Sequence, residues 1–252
     1  MILRIFATDG LTPERIFRWS VDETAEHLGA QQVLWVTRLD APGWQNLVDW
    51  FVRHPSFRAV ILDKANCWGW YGEHEVTWRM AQGLCYRSEE DKIEDDAKNV
   101  EVEAIYWGHD DMAPPAGEGF KAYLRDWLAS DSDSMEAPSW QLWDDFGMVR
   151  DDELGRTLTG ERHCWLAKWS PNLKWLNPEG RNTTPKDKLE RFRPLNSVSP
   201  WICPWPFRHA KGVDRAFREG DGFARKGFLN RWVGSTAECR PYDPDETWEF
   251  ST

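Results

Sequence analysis

The stretch LRIFATDGLTPERIFRWSVDETAEHLGAQQVLWV, residues 3–36, decides the fold class of this chain. Leu3–Ala7 is a short apolar run containing Ile and Phe, which predicts a buried strand. Thr12 and Pro13 then predict an N-cap followed by proline at the first helical position. An apolar helical face follows and stops at Gly29, and Gln32–Val36 predicts a second strand. A strand, a helix and a strand in this order are typical of a parallel βαβ unit.

The alternation continues outward from this unit. The apolar positions of Trp44–Val52 predict a second helix, and those of Phe57–Leu62 and Val100–Trp107 predict two more strands. Further helices are predicted near Glu73–Arg87 and Glu118–Ala129. Repeated strand–helix alternation predicts an α/β fold with a mostly parallel sheet and helices on both faces. The largely apolar run of the third strand is typical of a sheet that is covered on both faces.

The pattern loosens after residue 130. The predicted elements there are an edge strand and turn within Ser139–Met148, short strands at Cys164–Lys168 and Leu173–Leu176, a long loop over Pro178–Pro206, a helix over Val213–Trp232 and an extended tail over residues 241–252. We expect residues 1–252 to form a single domain, at the upper end of the usual size for one core.

The net charge of −11 is unevenly distributed. Residues 1–155 contain 14 basic and 30 acidic residues, whereas residues 156–252 contain 17 basic and 12 acidic ones. A positive C-terminal part suggests an anionic ligand there, such as a diphosphate or a nucleic-acid backbone, and scattered solvated charges are the alternative. The 18 Trp residues fill part of the core, and their excess favours a carbohydrate or nucleotide ligand.

Several classes of protein are disfavoured by missing patterns. The N-terminal residues contain no signal-peptide run, and no apolar stretch is long enough to span a membrane, so we expect a cytoplasmic protein. The five cysteines show no CxxC spacing, which favours reduced thiols. The sequence also contains no GxxxxGK[ST], GxGxxG or GxSxG motif, which disfavours kinases, dehydrogenases and serine hydrolases.

The residues Gly108-His109-Asp110-Asp111 follow the fourth predicted strand. Ligands of open α/β sheets bind outside the carboxyl ends of the strands. Two adjacent carboxylates there suit Mg²⁺ or Mn²⁺, which prefer oxygen ligands and bridge substrate phosphates. The alternative is that Asp110 or Asp111 caps the following turn.

Four segments in order, Ala7–Gly10, Val36–Asp40, Asn66–Gly69 and His109–Asp111, resemble those of the GT-A nucleotide-sugar glycosyltransferases of the family-2-like type. The resemblance extends well over residues 1–130 and loosely over residues 139–232. It implies a GT-A-like fold with a nucleotide-sugar-binding half at 1–130 and a looser acceptor-binding half at 131–252. It also implies a metal-dependent sugar transfer from a nucleoside diphosphate-sugar, with a UDP-sugar favoured.

The resemblance assigns residues to the donor and the metal. It places Thr8, Asp9, Asp40 and Asp63 near the base and ribose and Asp110 beside the donor. Asp111 is implied to be the metal-coordinating member of a DxD motif. His109 stands where that motif usually has its first Asp, and His is a poorer partner for Mg²⁺ than for Mn²⁺.

A basic segment, Pro206-Phe207-Arg208-His209-Ala210-Lys211, matches the late His and cations that the family places over the diphosphate. The resemblance implies that His209 completes the metal shell and that Arg208 and Lys211 stabilise the leaving group. The alternative is a basic helix start exposed to water. A helix cannot present Arg208 and His209 on the same face.

The acceptor side is less defined. Asp144 or Asp145 is a candidate general base for an inverting transfer, with Asp151, Asp152 and Glu153 as competitors, and a retaining enzyme would need no such base. Trp143, Trp201 and Trp205 are candidate acceptor-binding rings, and core packing is the alternative for each.

The acceptor itself is left open between a hydroxymethylated base in DNA, as in phage base-modifying transferases, a glycan precursor and a protein. Two other functions compete with sugar transfer. One is a nucleotidyltransferase, which normally has a Gly/Arg/Lys-rich loop after the first strand, where this chain has Thr8–Thr12. The other is a non-catalytic sugar-binding protein.

Overall fold

The computed structural model describes residues 1–62, 102–137, 139–141, 148–150, 164–169, 201–210, 238–240 and 243–245. Several predicted features lie outside these residues: the third and last helices, the strand Leu173–Leu176, most of the loop 178–206, and the candidates Asp63, Trp143, Asp144, Asp145 and Lys211.

A seven-stranded sheet forms the centre of the described structure. Its strands are β1 (Ile2–Thr8), β2 (Gln31–Val36), β3 (Phe57–Leu62), β4 (Ala104–Trp107), β6 (Ser134–Ala137), β9 (Cys164–Lys168) and β10 (Trp201–Ile202), in the order β10-β6-β9-β4-β1-β2-β3. The pairs β1–β2, β2–β3, β1–β4 and β6–β10 are parallel, whereas β9 runs antiparallel to both β4 and β6. The predicted α/β fold with a mostly parallel sheet is therefore confirmed.

The described helices are α1 (Glu14–Leu28), α2 (Trp44–Phe51) and α3 (Glu118–Ala129). They pack on the same face of the sheet. Phe6 and Leu34 of that face contact Phe17 of α1 and Phe51 of α2 in one apolar cluster, and a second cluster joins the sheet to α3. The side chains on the other face, such as Ile5 and Trp35, are also buried, but none of the described helices covers them.

Two smaller sheets stand beside the main one. β5 (Met112–Ala113), β11 (Phe207–His209) and β7 (Ser139–Gln141) form the first, in which β11 pairs antiparallel with β5 and parallel with β7. β8 (Met148–Arg150) and β12 (Glu238–Arg240) form an antiparallel pair. The chain therefore passes from the main sheet into a second sheet directly after β4.

Local structure differs from the prediction at three places. Helix α1 begins at Glu14, so Pro13 occupies the N-cap with extended backbone angles, and no side chain caps the helix. Strand β3 is an edge strand of the described sheet with partly exposed side chains, because β2 alone pairs with it there. Arg208 and His209 lie in strand β11 and are buried, so the alternative of a water-exposed helix start is wrong for these two residues.

From the sequence we expect no membrane-spanning segment and reduced thiols. Within the described residues, no helix combines the length and apolar character needed to cross a bilayer. Cys203 is a buried free thiol, and burial raises its pKa to about 12.

Gly10, in the loop after β1, requires glycine. Its φ is +72°, a left-handed conformation, and a Cβ there would lie 3.0 Å from the Cβ of Trp44 and 3.1 Å from that of Ala41. Gly29 is the matched control, because its φ is +60° but a Cβ would meet nothing within 4 Å.

We expect Gly10→Ala to lower the free energy of unfolding more than Gly29→Ala. The left-handed backbone alone costs an alanine roughly 1–2 kcal/mol, and only the Gly10 variant adds a steric contact. Urea denaturation of both variants measures the difference. Equal losses would show that the loop yields to the added methyl group.

Candidate functional site

The strand order places a candidate site at the carboxyl ends of β1, β2 and β4. The chain adds β2 and β3 on one side of β1 and then places β4 on the other side. Such a reversal of strand order leaves a crevice outside the carboxyl ends of the two strands that flank it, and ligands of open α/β sheets bind there. The residues after β1 begin at Asp9, and those after β4 are Gly108–Asp111.

Asp110 is the centre of this site. It is buried, its Oδ2 atom has no hydrogen-bond partner among the described residues, and its carboxyl group is hydrogen-bonded to Thr8 and Thr12. The pKa of Asp110 is raised to about 7, chiefly by burial and also by the charges of Asp111 and Asp9, against the opposing hydrogen bonds of the two threonines. The side chains after β1 and β4 are therefore in mutual contact range.

His209 lies beside Asp111 on the side of the second sheet. Its Nε2 atom is 3.2 Å from Oδ1 of Asp111, and its ring stacks on that of His109 with centroids 5.9 Å apart. The backbone N–H of Ala210 donates to the carbonyl of Asp111 at 2.8 Å. The pairing of β11 with β5 thus brings together residues that are about 100 positions apart in the sequence.

The tip of β2 adds an exposed ion pair. The backbone N–H of Thr37 donates to the carbonyl of Thr8 at 2.9 Å, which joins the ends of β1 and β2. Arg38 donates to both carboxylate oxygens of Asp40, at 3.3 and 3.1 Å. This bond lowers the pKa of Asp40 and is the main cause of the raised pKa of Arg38, to which the charge of Asp9 makes a smaller contribution. Asp40 therefore faces solvent, paired with Arg38, which interacts with the charge of Asp9.

Arg208 points away from this group. Its guanidinium donates to the carbonyl of Pro114 at 2.7 and 3.1 Å and pairs with Glu23 of α1 at 2.5 Å, with the ring of Trp19 alongside. Alternation along β11 explains the difference, because neighbouring residues of a strand face opposite sides. The predicted donor contact of Arg208 stays a prediction, and its described contacts are with α1 and the residue after β5.

Trp201 and Trp205 pack on helix α3. The ring of Tyr123 lies 4.9 Å from that of Trp201 and 5.6 Å from that of Trp205, and the indole of Trp205 covers Gly119. Both belong to the rim of the apolar cluster under α3. The described contacts of the two rings match the core-packing alternative, and acceptor binding stays a prediction.

Two residues that contact this site were not assigned to it by the sequence analysis. Thr12, expected to cap α1, bonds Asp110 instead. Arg4 lies inside the apolar run of β1 but donates to the carbonyls of His109 and Met112. The alternation of β1 was a usable signal for Arg4, since positions 2, 4, 6 and 8 share one face.

The donor set around Asp110 fits a divalent cation in part. Among the described residues, no three His, Cys, Asp or Glu side chains form a closed metal site. The unbonded Oδ2 of Asp110 and the adjacent Asp111 nevertheless supply the one or two carboxylates with which Mg²⁺ sites commonly bind substrate phosphates and water. Such a site is completed by the substrate.

Comparisons with known proteins give distant structural similarity only. No family model matches the chain, and no curated protein matches it. It is similar to a mannosyltransferase from Pyrobaculum calidifontis in complex with GDP-Man and Mn²⁺, at a TM-score of 0.41 and 13% identity, covering 66% of this chain and 44% of that one.

A second similar structure is 4-diphosphocytidyl-2C-methyl-D-erythritol synthase from Anaerococcus prevotii. The TM-score is 0.44 at 10% identity, with 84% of this chain and 88% of that one covered. Similarity at this level establishes neither a family nor an activity for this chain.

Asp110→Asn tests the buried carboxyl group. Between its unfolded pKa near 3.8 and its folded pKa of about 7, the unfolded state loses the proton first, so protonation favours the folded state. That stability is complete below the unfolded pKa and is lost as the pH rises through the folded pKa, by about 1.4 kcal/mol per unit separating the two.

We therefore compare the free energies of unfolding of the wild type and of Asp110→Asn. The difference, wild type minus variant, should fall as the pH rises through this range and then level off. Urea denaturation in EDTA at several pH values measures it, and titrating groups that do not interact with Asp110 cancel in the difference. A difference that is constant with pH would contradict the burial of a protonated Asp110.

Arg208→Met tests the contact with α1. We expect it to lower the unfolding free energy by roughly 1.5–3 kcal/mol, because Glu23 and the carbonyl of Pro114 lose a charged hydrogen-bond donor. Arg18→Met on the same helix is the control. It removes an exposed pair with Glu14 and should cost at most about 0.5 kcal/mol. Thermal and urea denaturation measure both variants. Equal losses of stability in Arg208→Met and Arg18→Met would refute a stabilising role for the buried contact of Arg208 with α1.

Proposed function

We propose that this chain is a glycosyltransferase that moves a sugar from a nucleoside diphosphate-sugar to a hydroxyl acceptor. The observation that carries the proposal is the buried Asp110, which lies with Asp9 and Asp111 at the crevice between β1 and β4. Converging carboxylates with an unbonded oxygen attract a cation, and a cation at this crevice would bind the phosphates of a nucleotide.

The residues at the crevice have distinct roles in this proposal. Asp110 and Asp111 would hold Mn²⁺ or Mg²⁺, with His209 and His109 beside them, and the ion would supply positive charge against the diphosphate. Thr8 and Thr12 orient Asp110 through their hydroxyl groups. Asp9 and Asp40 face the base and ribose. Asp63 and Lys211 complete the donor site in this proposal.

The loop after β1 favours sugar transfer over nucleotidyl transfer. Its residues, Asp9 to Pro13, include no Arg or Lys, and the side chain of Asp9 accepts a hydrogen bond from the backbone N–H of Leu11 at 2.9 Å. This turn presents an acidic group where a nucleotidyltransferase would need cations for a triphosphate.

On the acceptor side, the proposal assigns the general base to Asp144 or Asp145 and the lining of the acceptor site to Trp143, Trp201 and Trp205. An inverting transfer requires such a base within reach of the acceptor hydroxyl. The candidate acceptors are a hydroxymethylated base in DNA, a glycan precursor and a protein. A steep fall of binding with salt would favour DNA, because phosphate contacts release counterions.

Donor hydrolysis tests the proposal. The chain is incubated with a panel of UDP- and GDP-sugars in Mn²⁺, Mg²⁺ or EDTA, and free nucleoside diphosphate is measured. We expect release that requires the metal and that falls by about 10²-fold or more in Asp111→Ala. Asp49→Ala, on the exposed side of α2, is the matched control and should retain full activity.

Each alternative has its own outcome in this assay. Full activity of Asp111→Ala would refute the metal assignment. Release of pyrophosphate from a nucleoside triphosphate would identify a nucleotidyltransferase instead. Stabilisation of the fold by a donor without any turnover would identify a sugar-binding protein, because a bound ligand raises the melting temperature.

A further inference from the structure

Arg4 is a fully buried cation in the middle of β1. It lies between β2 and β4, paired with Gln32 and Tyr106, on the face that α1 covers, and its exposed fraction is 0%. The neighbouring positions on this face, Ile2 and Phe6, are apolar. A buried guanidinium is costly unless acceptors surround it, so its presence in a core calls for a reason.

The two terminal nitrogens of the Arg4 guanidinium form hydrogen bonds with different parts of the structure. Nη1 donates to the carbonyl of Ser20, to Oγ1 of Thr24 and to Oε1 of Gln32, each at 3.0 Å, which ties it to α1 and β2. Nη2 donates to Oγ of Ser20 at 2.7 Å and to the carbonyls of His109 and Met112. One residue therefore connects the core to the loop between β4 and β5.

That loop carries Asp110 and Asp111. Its backbone is closed by the N–H of Met112, which donates to the carbonyl of His109 at 3.2 Å, and by the N–H of Ala210, which donates to the carbonyl of Asp111. Oγ of Ser20 also donates to the carbonyl of Met112. Arg4 binds the carbonyls at both ends of the turn, so it fixes the direction in which the two carboxylates between them point.

We propose that Arg4 is a positioning residue that holds the His109–Met112 turn so that Asp110 and Asp111 face the end of β1. The expected effect of Arg4 on enzymatic turnover rests on the proposed function, whereas its effect on the His109–Met112 turn does not. Arg4 acts through backbone carbonyls and belongs to the same strand as Thr8, which bonds Asp110. The strand thus sets both the position of the turn and the orientation of its carboxylate.

Hydrogen exchange of single backbone amides in the full chain tests the placement. In Arg4→Met we expect the amides of Met112 and Ala210 to exchange about tenfold faster or more, relative to the amide of Thr37, which bonds the carbonyl of Thr8. Arg4→Lys should give an intermediate change, because one ammonium group cannot reach both sides of the fork.

Thr24→Val is the matched control. It removes a partner of Nη1 while leaving the contacts of Nη2 with the turn, so the relative exchange of Met112 and Ala210 should change less than about twofold. If Arg4→Met does not fold, Arg4→Lys decides by the same criterion. Equal acceleration of all three amides, or no acceleration in either Arg4 variant, would overturn the proposal.

Steady-state kinetics test the positioning role of Arg4 separately. With Mn²⁺ and a UDP- or GDP-sugar that the wild type hydrolyses, Arg4→Met should lower kcat by about 10-fold or more per folded molecule while KM changes little, because misplaced groups lose catalysis before binding. An unchanged kcat would overturn the role in positioning for catalysis. Failure of the wild type to use any donor would refute the proposed function, and the exchange result would still decide the role of Arg4.

Discussion

Strand β1 pairs in parallel with β2 on one side and with β4 on the other, so the carboxyl ends of three strands must lie at one edge of the sheet. Backbone hydrogen bonding fixes this arrangement, since the registers join Thr8 to Val36 and Arg4 to Tyr106. The reversal of strand order at β1 then opens a crevice at that edge. The interaction of Asp9 with Asp110, and the bond that joins Thr37 to Thr8, follow from this pairing.

The electrostatics of the crevice are unusual for a merely structural loop. Three carboxylates, Asp9, Asp110 and Asp111, lie in interaction range, and Asp110 is held in a buried position where burial raises its pKa to about 7. Such an arrangement opposes folding at neutral pH, and strongly perturbed carboxyl groups are concentrated at functional sites. In this neighbourhood Arg38 pairs with Asp40, and the Nε2 atom of His209 lies 3.2 Å from Oδ1 of Asp111. A bound divalent cation would relieve the remaining negative charge.

The elements that depend on local periodicity were predictable from the sequence. The bounds of β3 and α3 match the prediction, and those of β2 differ by one residue, because apolar alternation and helical spacing are local properties. The motif at Gly108–Asp111 was also placed correctly after β4. The alternative of a helix start in the basic segment is wrong for Phe207–His209, because this short segment pairs with β5 and β7, which are distant in the sequence, and is therefore extended.

The sequence by itself determined the α/β class, the first four strands and the position of the acidic motif, because these depend on patterns within about twenty residues of one another. Only the tertiary structure decided which side chains serve the site. Arg4 reads as part of an apolar strand and Thr12 as a helix cap, yet both bond the turn that carries Asp110. Arg208 reads as a phosphate ligand but pairs with Glu23. The direction of a side chain depends on strand pairing and on the packing of α1, and sequence spacing does not encode either.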